Sequence, residues 1–275
     1  MKTEMILSTY NNPRSLRLCL ESISHQDPGC DSICIADDGS RPETAAVIEA
    51  FRMQNQGLTI RHVWHEDNGF EKGQILNKAI ASTVAEFLVF IDGDVMIRPD
   101  FVARHLELAQ KGRFTTGSLI RLDALATDSV TERMVAEGVV FERSWLRENR
   151  ALGSVFVWLK SAPLPKIVLS ALEILSPIRR SLCGAHWSGF TADLLRINGY
   201  DEAIKYGGED KELGERLKNA GLRGRHSRYW AVLVHLDHSR GYLDPQKRLQ
   251  HKKMIHDVRG SDRFWTERGI HKTEL

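Results

Sequence analysis

The sequence has little of several features that mark particular classes of protein. Its four cysteines, Cys19, Cys30, Cys34 and Cys183, show neither metal-ligand spacing nor a disulfide framework. No apolar run approaches the roughly 20 residues that a membrane-spanning helix needs, and the amino terminus lacks a signal-peptide pattern. We therefore expect a cytoplasmic globular protein whose cysteines are small buried residues in a reducing compartment.

A large excess of charge of one sign is also missing. The chain has 38 Lys and Arg residues against 36 Asp and Glu residues, which leaves a formal charge of +2. This balance argues against a protein that coats nucleic acid. The charge is uneven, however, because residues 221–275 contain twelve basic and six acidic side chains. This basic tail predicts either a solvated helical face or a contact with phosphates or an anionic membrane surface.

The most informative stretch is an apolar run, Phe87 to Ile91, that leads directly into Asp92-Gly93-Asp94. A short continuous apolar run is typical of a strand that is buried on both faces. Because side chains alternate along a strand and Gly93 has none, Asp92 and Asp94 are expected to project together. Paired carboxylates at the carboxyl end of a strand suit Mg²⁺ or Mn²⁺ that holds the phosphates of a substrate. An acidic turn that merely ends a strand fits the same residues.

The first half of the chain alternates between strand and helix patterns. Strands are predicted at 5–9, 32–36, 58–64 and 87–91, with helices that begin near Pro13, Pro42 and Gly73. This order predicts an α/β fold with a Rossmann-like, mostly parallel central sheet flanked by helices. The second strand also ends in acids, Asp37 and Asp38. If the two acidic strands are neighbours, four carboxylates line one crevice and repel one another without a cation or donor between them, which favours a ligand site.

The region from 124 to 181 is the least regular part of the sequence. Residues 132–150 are rich in charge and compatible with a helix, whereas 155–159 and 167–175 are apolar, with two arginines behind them. Three interpretations stay open for the apolar part: an amphipathic element on a membrane surface, an excursion that packs on the core, or a mobile lid.

A second candidate site lies near residues 186–210. It contains Trp187 and Tyr206, then Gly207 and Gly208, and then an acidic pair at the start of a helix predicted at 211–219. Acids at a helix start can simply complement the helix dipole. Two glycines allow a close approach of the backbone to a ligand, so together with the aromatic residues they favour a binding site.

Two histidines, His235 and His238, follow a strand predicted at 230–234. Histidines that close a strand are often ordinary structural residues. An imidazole is nevertheless a good ligand for Mn²⁺ beside a carboxylate, so both interpretations stay open.

Together these motifs resemble those of an inverting family 2 glycosyltransferase with the glycosyltransferase A fold. Three segments carry the resemblance to its nucleotide-sugar half: Ile6-Leu-Ser-Thr-Tyr-Asn-Asn-Pro, Ala36-Asp-Asp-Gly-Ser and Phe90-Ile-Asp-Gly-Asp. The segment from Asn198-Gly-Tyr-Asp-Glu through Gly207-Gly-Glu-Asp-Lys-Glu-Leu is similar to the acceptor-side module of β-1,4-galactosyltransferases and bacterial chondroitin-type polymerases. The resemblance implies a nucleotide-sugar-binding half, 1–122, and an acceptor-binding and catalytic-base half, 123–275, of one compact domain.

The resemblance also implies a set of donor-binding residues. Asp38 would contact the uracil of a UDP-sugar, with Ser8 and Tyr10 nearby. Asp92 would face the ribose or the metal.

Metal and catalytic residues follow from the same comparison of motifs. Asp94 would be the principal ligand of Mn²⁺ or Mg²⁺, with His238 nearest to the family's metal-binding histidine and His235 as the alternative. Asp210 falls where related transferases place the general base, and Glu209 precedes it.

On the acceptor side, the resemblance places Trp187, Tyr206 and Gly208 against the acceptor, with the two aromatic rings stacked on sugars. The chain departs from the family in its long 124–181 region. It also lacks an asparagine that related enzymes often show before the acceptor-side helix, which weakens an assignment of galactose or N-acetylgalactosamine.

The expected function is metal-dependent transfer of a sugar from a nucleotide-sugar donor to a hydroxyl of a glycan or glycolipid. Its expected setting is bacterial polysaccharide or lipopolysaccharide synthesis, with peripheral membrane contact and no nucleic-acid partner. Two alternatives are a nucleotidyltransferase and a sugar-nucleotide-binding protein without transfer activity. The segment after the first strand, Ser8 to Pro13, is not the glycine-rich phosphate loop that nucleotidyltransferases usually carry. A hydrolase of nucleotide sugars also fits if the acceptor site admits water.

Overall fold

A seven-stranded sheet organises the computed structural model, which describes residues 1–176, 181–205, 207–238 and 245–272. In chain order the strands are β1 Thr3–Thr9, β2 Ser32–Asp37, β3 Thr59–Trp64, β4 Phe87–Asp92, β5 Val95–Ile97, β6 Arg113–Thr116, β7 Leu119–Arg121, β8 His186–Phe190, β9 Arg223–His226 and β10 Leu233–His235. The large sheet has the order β3-β2-β1-β4-β8-β6-β9, and β5, β10 and β7 form a small second sheet.

Twelve α-helices surround these sheets in the described part of the chain. They are α1 Pro13–Ser24, α2 Pro42–Gln54, α3 Lys72–Ala81, α4 Phe101–Leu108, α5 Ala124–Ser129, α6 Glu132–Ala136, α7 Arg143–Glu148, α8 Val155–Lys160, α9 Lys166–Leu175, α10 Thr191–Arg196, α11 Glu209–Asn219 and α12 Pro245–Arg259. None of the described helices combines the length and the hydrophobicity that a bilayer crossing requires.

The central strand β4 is buried on both faces, as its continuous apolar sequence predicts. Val89 and Ile91 pack into a core with α1, α2 and α4, whereas Leu88 and Phe90 pack into the opposite core with α3, α10 and α11. Alternation along the strand sends successive side chains to opposite faces. The predicted α/β class, with a mostly parallel sheet between layers of helices, is confirmed.

The order of the strands identifies where a ligand should bind. β1 pairs in parallel with both β2 and β4, so the chain moves from β1 outward to β3 and then returns to the other side of β1. Open α/β sheets bind ligands outside the carboxyl ends of their strands at such a switch in direction. The crevice lies next to the ends of β1 and β4, where Ser8 and Asp92 are partners in the register.

The second half of the chain completes the same two sheets. β8 runs antiparallel between β4 and β6, and β9 forms the edge beyond β6. β10 pairs with β5 and β7, which brings the residues after 233 close to the end of β4. The division into a donor half and an acceptor half stays a prediction, although strands of both halves share both sheets.

Several local expectations differ from the structure. The charged stretch 132–150, which is compatible with one helix in the sequence, forms several short helices instead. The strands β5, β8 and β9 were not predicted. β8 has the sequence His186-Trp-Ser-Gly-Phe, which lacks a continuous apolar run although the strand lies inside the sheet.

Candidate functional site

The candidate site is a cavity of about 530 Å³ at the switch point of the large sheet. It is lined by Ser8, Thr9, Tyr10, Asn11, Asn12, Asp38, Gly69, Phe70, Lys72, Asp92, Gly93, Asp94 and His238. Every donor and metal residue of the sequence prediction, apart from the alternative His235, lines this cavity. The structure therefore brings these residues together, but their roles stay predictions.

Gly93 allows the ends of β1 and β4 to meet at the floor of the cavity. Its backbone N–H donates to the Ser8 carbonyl at 2.7 Å. A Cβ atom at this position would lie 3.0 Å from the same carbonyl oxygen and 3.2 Å from Thr9 Cβ. Because a larger residue would push the two strand ends apart, glycine is needed between the two acids.

Asp92 is held by a hydroxyl and by a lysine. Its Oδ1 accepts from Ser8 Oγ at 2.8 Å and from Lys72 Nζ at 2.5 Å. Burial would raise the pKa of Asp92, but the charge and hydrogen bond of Lys72, together with the hydrogen bond from Ser8, hold the pKa below its ordinary value. Asp92 is therefore ionised and fixed before any ligand binds.

Lys72 is a site residue that the sequence prediction missed. It begins α3 and is largely buried, with a side-chain exposure of 17%. Burial alone would lower the pKa of Lys72, but the nearby carboxylates of Asp92 and Glu209 raise it. The ammonium group of Lys72 thus interacts electrostatically with Asp92 at the end of β4 and with Glu209 at the start of α11. Nothing in the local pattern of α3 distinguishes Lys72 from a solvated lysine at a helix start.

Asp94 and two histidines form a group whose side chains could hold a metal ion. His238 Nε2 lies 3.2 Å from Asp94 Oδ2, and His235 Nε2 lies 3.6 Å from Asp94 Oδ1. One ligand atom from each of the three residues can be chosen so that all lie within 4.8 Å of one another. Both histidines, which the sequence left as alternatives, are therefore near the carboxylate.

The chemistry of this group fits a divalent cation. Asp94 Oδ1 is buried and accepts no hydrogen bond from the part of the chain that the structure describes. Burial, and then the charge of Asp92, raise the pKa of Asp94, and the nearby basic groups do not cancel this rise. Burial also lowers the pKa of His235, which keeps the imidazole in the neutral form that binds metals. One carboxylate and two imidazoles suit Mn²⁺.

Asp38 lines the cavity, but both of its oxygens already accept hydrogen bonds. Oδ1 lies 2.7 Å from His65 Nε2, and Oδ2 accepts from the Glu71 backbone N–H at 3.0 Å. Asp38 thus connects β2 to the residues that lead into α3. Contact between Asp38 and a base stays a prediction.

The prediction that four carboxylates line one crevice is wrong in one respect. β1 separates β2 from β4, and Asp37 is fully buried with hydrogen bonds to His62 and to the Ser40 backbone N–H. Asp37 therefore fixes the turn after β2 and does not line the cavity.

Two acids begin helix α11, after Gly208 in a left-handed conformation with φ +110°. Asp210 is half-buried, and its Oδ2 accepts from the Gly184 backbone N–H at 3.0 Å. Burial raises the pKa of Asp210, while the hydrogen bond from Gly184 opposes this effect. Glu209 is only 7% exposed, and burial followed by repulsion from Asp210 raises its pKa to about 7. Both acids thus have raised proton affinity, as a general base requires.

The structure contradicts one of the predictions for the acceptor side. Trp187 is fully buried, and its ring stacks on Phe90 with a centroid distance of 4.1 Å and an interplanar angle of 4°. A ring enclosed in the core offers no face to a sugar, so the assignment of Trp187 as a stacking platform is wrong. Gly208 packs near Ile255 at the start of α11. Tyr206 lies outside the described residues.

A larger cavity of about 900 Å³ lies elsewhere, along the edge strand β9. Arg113, Lys218, Arg223 and Arg225 are among its lining residues, together with Glu173. It contains none of the predicted site residues, so its size alone does not make it the functional site.

Comparison with known proteins bears on the two halves of the chain separately. The model of the family described as "Glycosyl transferase family 2" matches residues 5–133, which contain most of β1, all of β2 to β7 and the whole Asp-x-Asp segment. A second model, described as "N-terminal domain of galactosyltransferase", matches residues 166–239, which contain Glu209, Asp210 and both histidines.

Individual relatives agree with these matches. The uncharacterized glycosyltransferase YfnE of Bacillus subtilis (strain 168) is 26% identical over 264 residues, which cover 86% of this chain and 65% of YfnE. The structure of mannosyltransferase PcManGT from Pyrobaculum calidifontis, in complex with GDP-Man and Mn²⁺, has a TM-score of 0.62 at 17% identity. A fragment of S. aureus TarS in complex with UDP-GlcNAc has a TM-score of 0.62 at 16% identity.

The two structures are covered over 63% and 66% of their length and align with 93% and 94% of this chain. The chain thus spans less than two thirds of these relatives. Its fold, its sheet order and the position of its site define an α/β protein with the glycosyltransferase A fold. The two family models and the relatives show that the chain is similar to family 2 glycosyltransferases in its first half and to galactosyltransferases in its carboxyl-terminal region.

Proposed function

We propose that the protein transfers a sugar, with inversion at the anomeric carbon, from a nucleotide-sugar donor to a hydroxyl of a glycan or a lipid-linked saccharide. The observation that carries this proposal is the group of Asp94, His235 and His238, two of which line the switch-point cavity. Asp94 Oδ1 is buried and has no hydrogen-bond partner among the described residues, and two imidazoles lie beside it. This arrangement favours the binding of a cation. A cation at the end of β4 suits the diphosphate of a donor.

Asp94, His235 and His238 would hold the cation, Mn²⁺ or Mg²⁺. When bound, the ion supplies positive charge to the leaving nucleoside diphosphate as the sugar departs. Asp92 is not assigned as a ligand of the cation, because Ser8 and Lys72 already form hydrogen bonds with its Oδ1. Its remaining oxygen is available to accept from a ribose hydroxyl of the donor.

The nucleoside would occupy the part of the cavity lined by Ser8, Tyr10 and Asp38. Uridine is the favoured base because the TarS neighbour binds UDP-GlcNAc, although PcManGT binds GDP-Man. Tyr10 is half exposed, and its hydroxyl donates to Asp67 at 2.9 Å, so its ring borders the entrance. Asp38 is rigidly held by His65 and by the backbone of Glu71, so it would present a fixed edge to the base.

Asp210 would act as the general base. The attacking hydroxyl must lose its proton as it bonds to the anomeric carbon, and a carboxylate with raised pKa accepts that proton effectively near neutral pH. The backbone N–H groups of Gly184 and Lys211 donate to Asp210 Oδ2 and Oδ1, at 3.0 and 2.8 Å, and hold this half-buried carboxylate in place. Glu209 is more deeply buried and would set the electrostatics around Asp210 and Lys72.

The proposed activity is tested by UDP release from a panel of UDP-sugars in the presence of Mn²⁺ and a membrane extract that contains glycolipid acceptors. The wild type should release UDP faster with the extract than without it. Asp210→Asn should reduce this release at least about 100-fold and retain donor binding. Near-normal turnover of Asp210→Asn would refute the assignment of the base.

The same assay separates the alternatives. Release of UDP at the same rate without an acceptor would indicate hydrolysis of the nucleotide sugar. Donor binding without any release would indicate a binding protein without transfer activity.

A further inference from the structure

Helix α9 has its apolar side turned away from the protein. Ile167, Ile174 and Leu175 are exposed by 79%, 75% and 77%, and Val168 and Ala171 are also exposed. At 100° per residue these five positions fall within an arc of about 120°. The outer face of α9 is thus a continuous apolar stripe, where a helix on a globular protein normally carries polar residues.

The inner face of α9 fixes this orientation. Leu169 is buried, and Glu173 Oε1 accepts from the backbone N–H groups of Tyr229 and Trp230, at 2.6 and 3.2 Å. A charged residue therefore points inward and the aliphatic residues point outward. Rotation of the helix would bury the stripe only by breaking these two hydrogen bonds.

Helix α8 adds more exposed apolar surface a short distance away. Val155, Phe156 and Trp158 are exposed by 70%, 54% and 45%, and only five residues join α8 to α9. Seven of the seventeen large apolar side chains that are exposed in the described part of the chain fall within 155–175. We call Val155, Phe156, Trp158, Ile167, Val168, Ala171, Ile174 and Leu175 the outer apolar surface.

Positive charge accompanies this surface. Residues 143–176 contain five basic and two acidic side chains, of which Lys160 and Glu173 point inward, so four basic side chains and one acidic side chain remain. The Arg143 guanidinium lies 4.1 Å from the ring centroid of Trp158, and the exposed Lys166, which forms an ion pair with Glu107 at 2.6 Å, begins the stripe of α9. Apolar residues flanked by arginine and lysine are typical of helices that lie in the interface of an anionic bilayer.

We propose that the outer apolar surface docks the protein on an anionic lipid bilayer. A ten-residue helix is about 15 Å long, half the hydrocarbon thickness, so α9 would lie in the interface and not cross it. Of the three interpretations that the sequence left open for this region, the geometry favours a membrane-surface element over packing on the core.

Docking through α9 would hold the segment that leads into β10, and so to His235, on the side of the protein that faces the bilayer. Glu173 binds the segment at 229–230, only a few residues before β10 and His235. The acceptor would then be a saccharide on a lipid carrier. This last identification rests on the proposed function, whereas binding to lipid does not.

Vesicle flotation tests the proposal without any need for activity. Vesicles of phosphatidylcholine alone are compared with vesicles that contain about 30% phosphatidylglycerol, at low and high salt. The wild type should float with the anionic vesicles and less at high salt. Absence of flotation with either composition would overturn the proposal.

Two triple variants locate the contact. Ile167→Ser, Ile174→Ser and Leu175→Ser together should lower the partition coefficient about tenfold or more. The control combines Met53→Ser, Val84→Ser and Leu249→Ser, which removes three equally exposed apolar side chains elsewhere and should bind like the wild type. Equal binding of the two triple variants would refute the role of α9.

Fluorescence quenching in the wild type tests the same contact without relying on the folding of the α9 triple variant. Brominated lipids should quench the fluorescence of Trp158, and the quenched component should be absent in Trp158→Phe. Equal quenching in the wild type and in Trp158→Phe would contradict insertion of this surface. A concentration-dependent dimer that the α9 variant abolishes, without vesicle binding by the wild type, would assign the surface to a second copy of the chain instead.

Discussion

Replacement of Glu209 by glutamine should stabilise the protein at alkaline pH, because the ionised form of Glu209 is disfavoured in the folded state. Glu209 is 7% exposed, and its Oε2 accepts no hydrogen bond from the residues that the structure describes. Burial and then Asp210 raise its pKa to about 7, from an ordinary value of 4.5. Lys72 opposes this rise but does not cancel it.

The size of the effect follows from the two pKa values. A carboxyl group whose folded-state pKa is raised stabilises the folded protein below its unfolded pKa, and this stability is lost as the pH rises through the folded pKa. Between pH 4.5 and pH 7 the loss grows to about 3 kcal/mol and then stays constant. Glutamine cannot ionise, so Glu209→Gln avoids the loss. The variant should match the wild type near pH 4.5 and exceed it by about 2 to 3 kcal/mol above pH 7.5.

Chemical denaturation at a series of pH values measures this difference in the free energy of unfolding. Glu212→Gln is the matched control, because Glu212 lies one turn later in α11 but forms a buried ion pair with Arg216. The same substitution there should destabilise the protein by about 3 kcal/mol or more. A difference between Glu209→Gln and the wild type that does not change with pH would refute the raised pKa of Glu209.

Two further predictions concern the cation and the lysine. His235→Ala and His238→Ala should each lower the affinity for Mn²⁺ at least about tenfold, measured from the free-ion signal in electron paramagnetic resonance; unchanged affinity in either variant would remove that histidine from the site. Lys72→Met leaves Asp92 buried without its cation and should cost about 3 kcal/mol of stability at neutral pH. Because protonation of Asp92 relieves this cost, the gap to the wild type in denaturation experiments should narrow as the pH falls towards 4; a gap that is independent of pH would contradict the pairing.

The features that were predictable from the sequence are those encoded by local pattern. The apolar run before Asp92 specifies a strand buried on both faces, and the alternation of such runs with helices specifies a doubly wound sheet. Asp92 and Asp94 could be placed in the cavity because both lie at the end of one strand. His235 and His238 could be named as ligands only through the order of motifs, since their approach to Asp94 depends on the pairing of β10 with β5.

The features that were not predictable depend on long-range pairing. Trp187 lies directly opposite Phe90 in the register of β8 and β4, and this register buries its ring in the core. The sequence around Trp187 has serine and glycine in place of an apolar run, so its pattern does not predict a central strand. The contact of Lys72 with Asp92 joins residues 20 positions apart through the packing of α3, and no spacing in the sequence encodes it.

Calorimetric titration with UDP tests most directly whether Asp94, His235 and His238 form a metal-dependent nucleotide site. UDP is titrated with and without Mn²⁺ into the wild type, Asp94→Ala and the control Asp262→Ala, which removes an exposed carboxylate outside the cavity. We expect binding that requires Mn²⁺ in the wild type and in the control and that is absent in Asp94→Ala. Equal binding of UDP with and without Mn²⁺, or binding that survives in Asp94→Ala, would contradict the account.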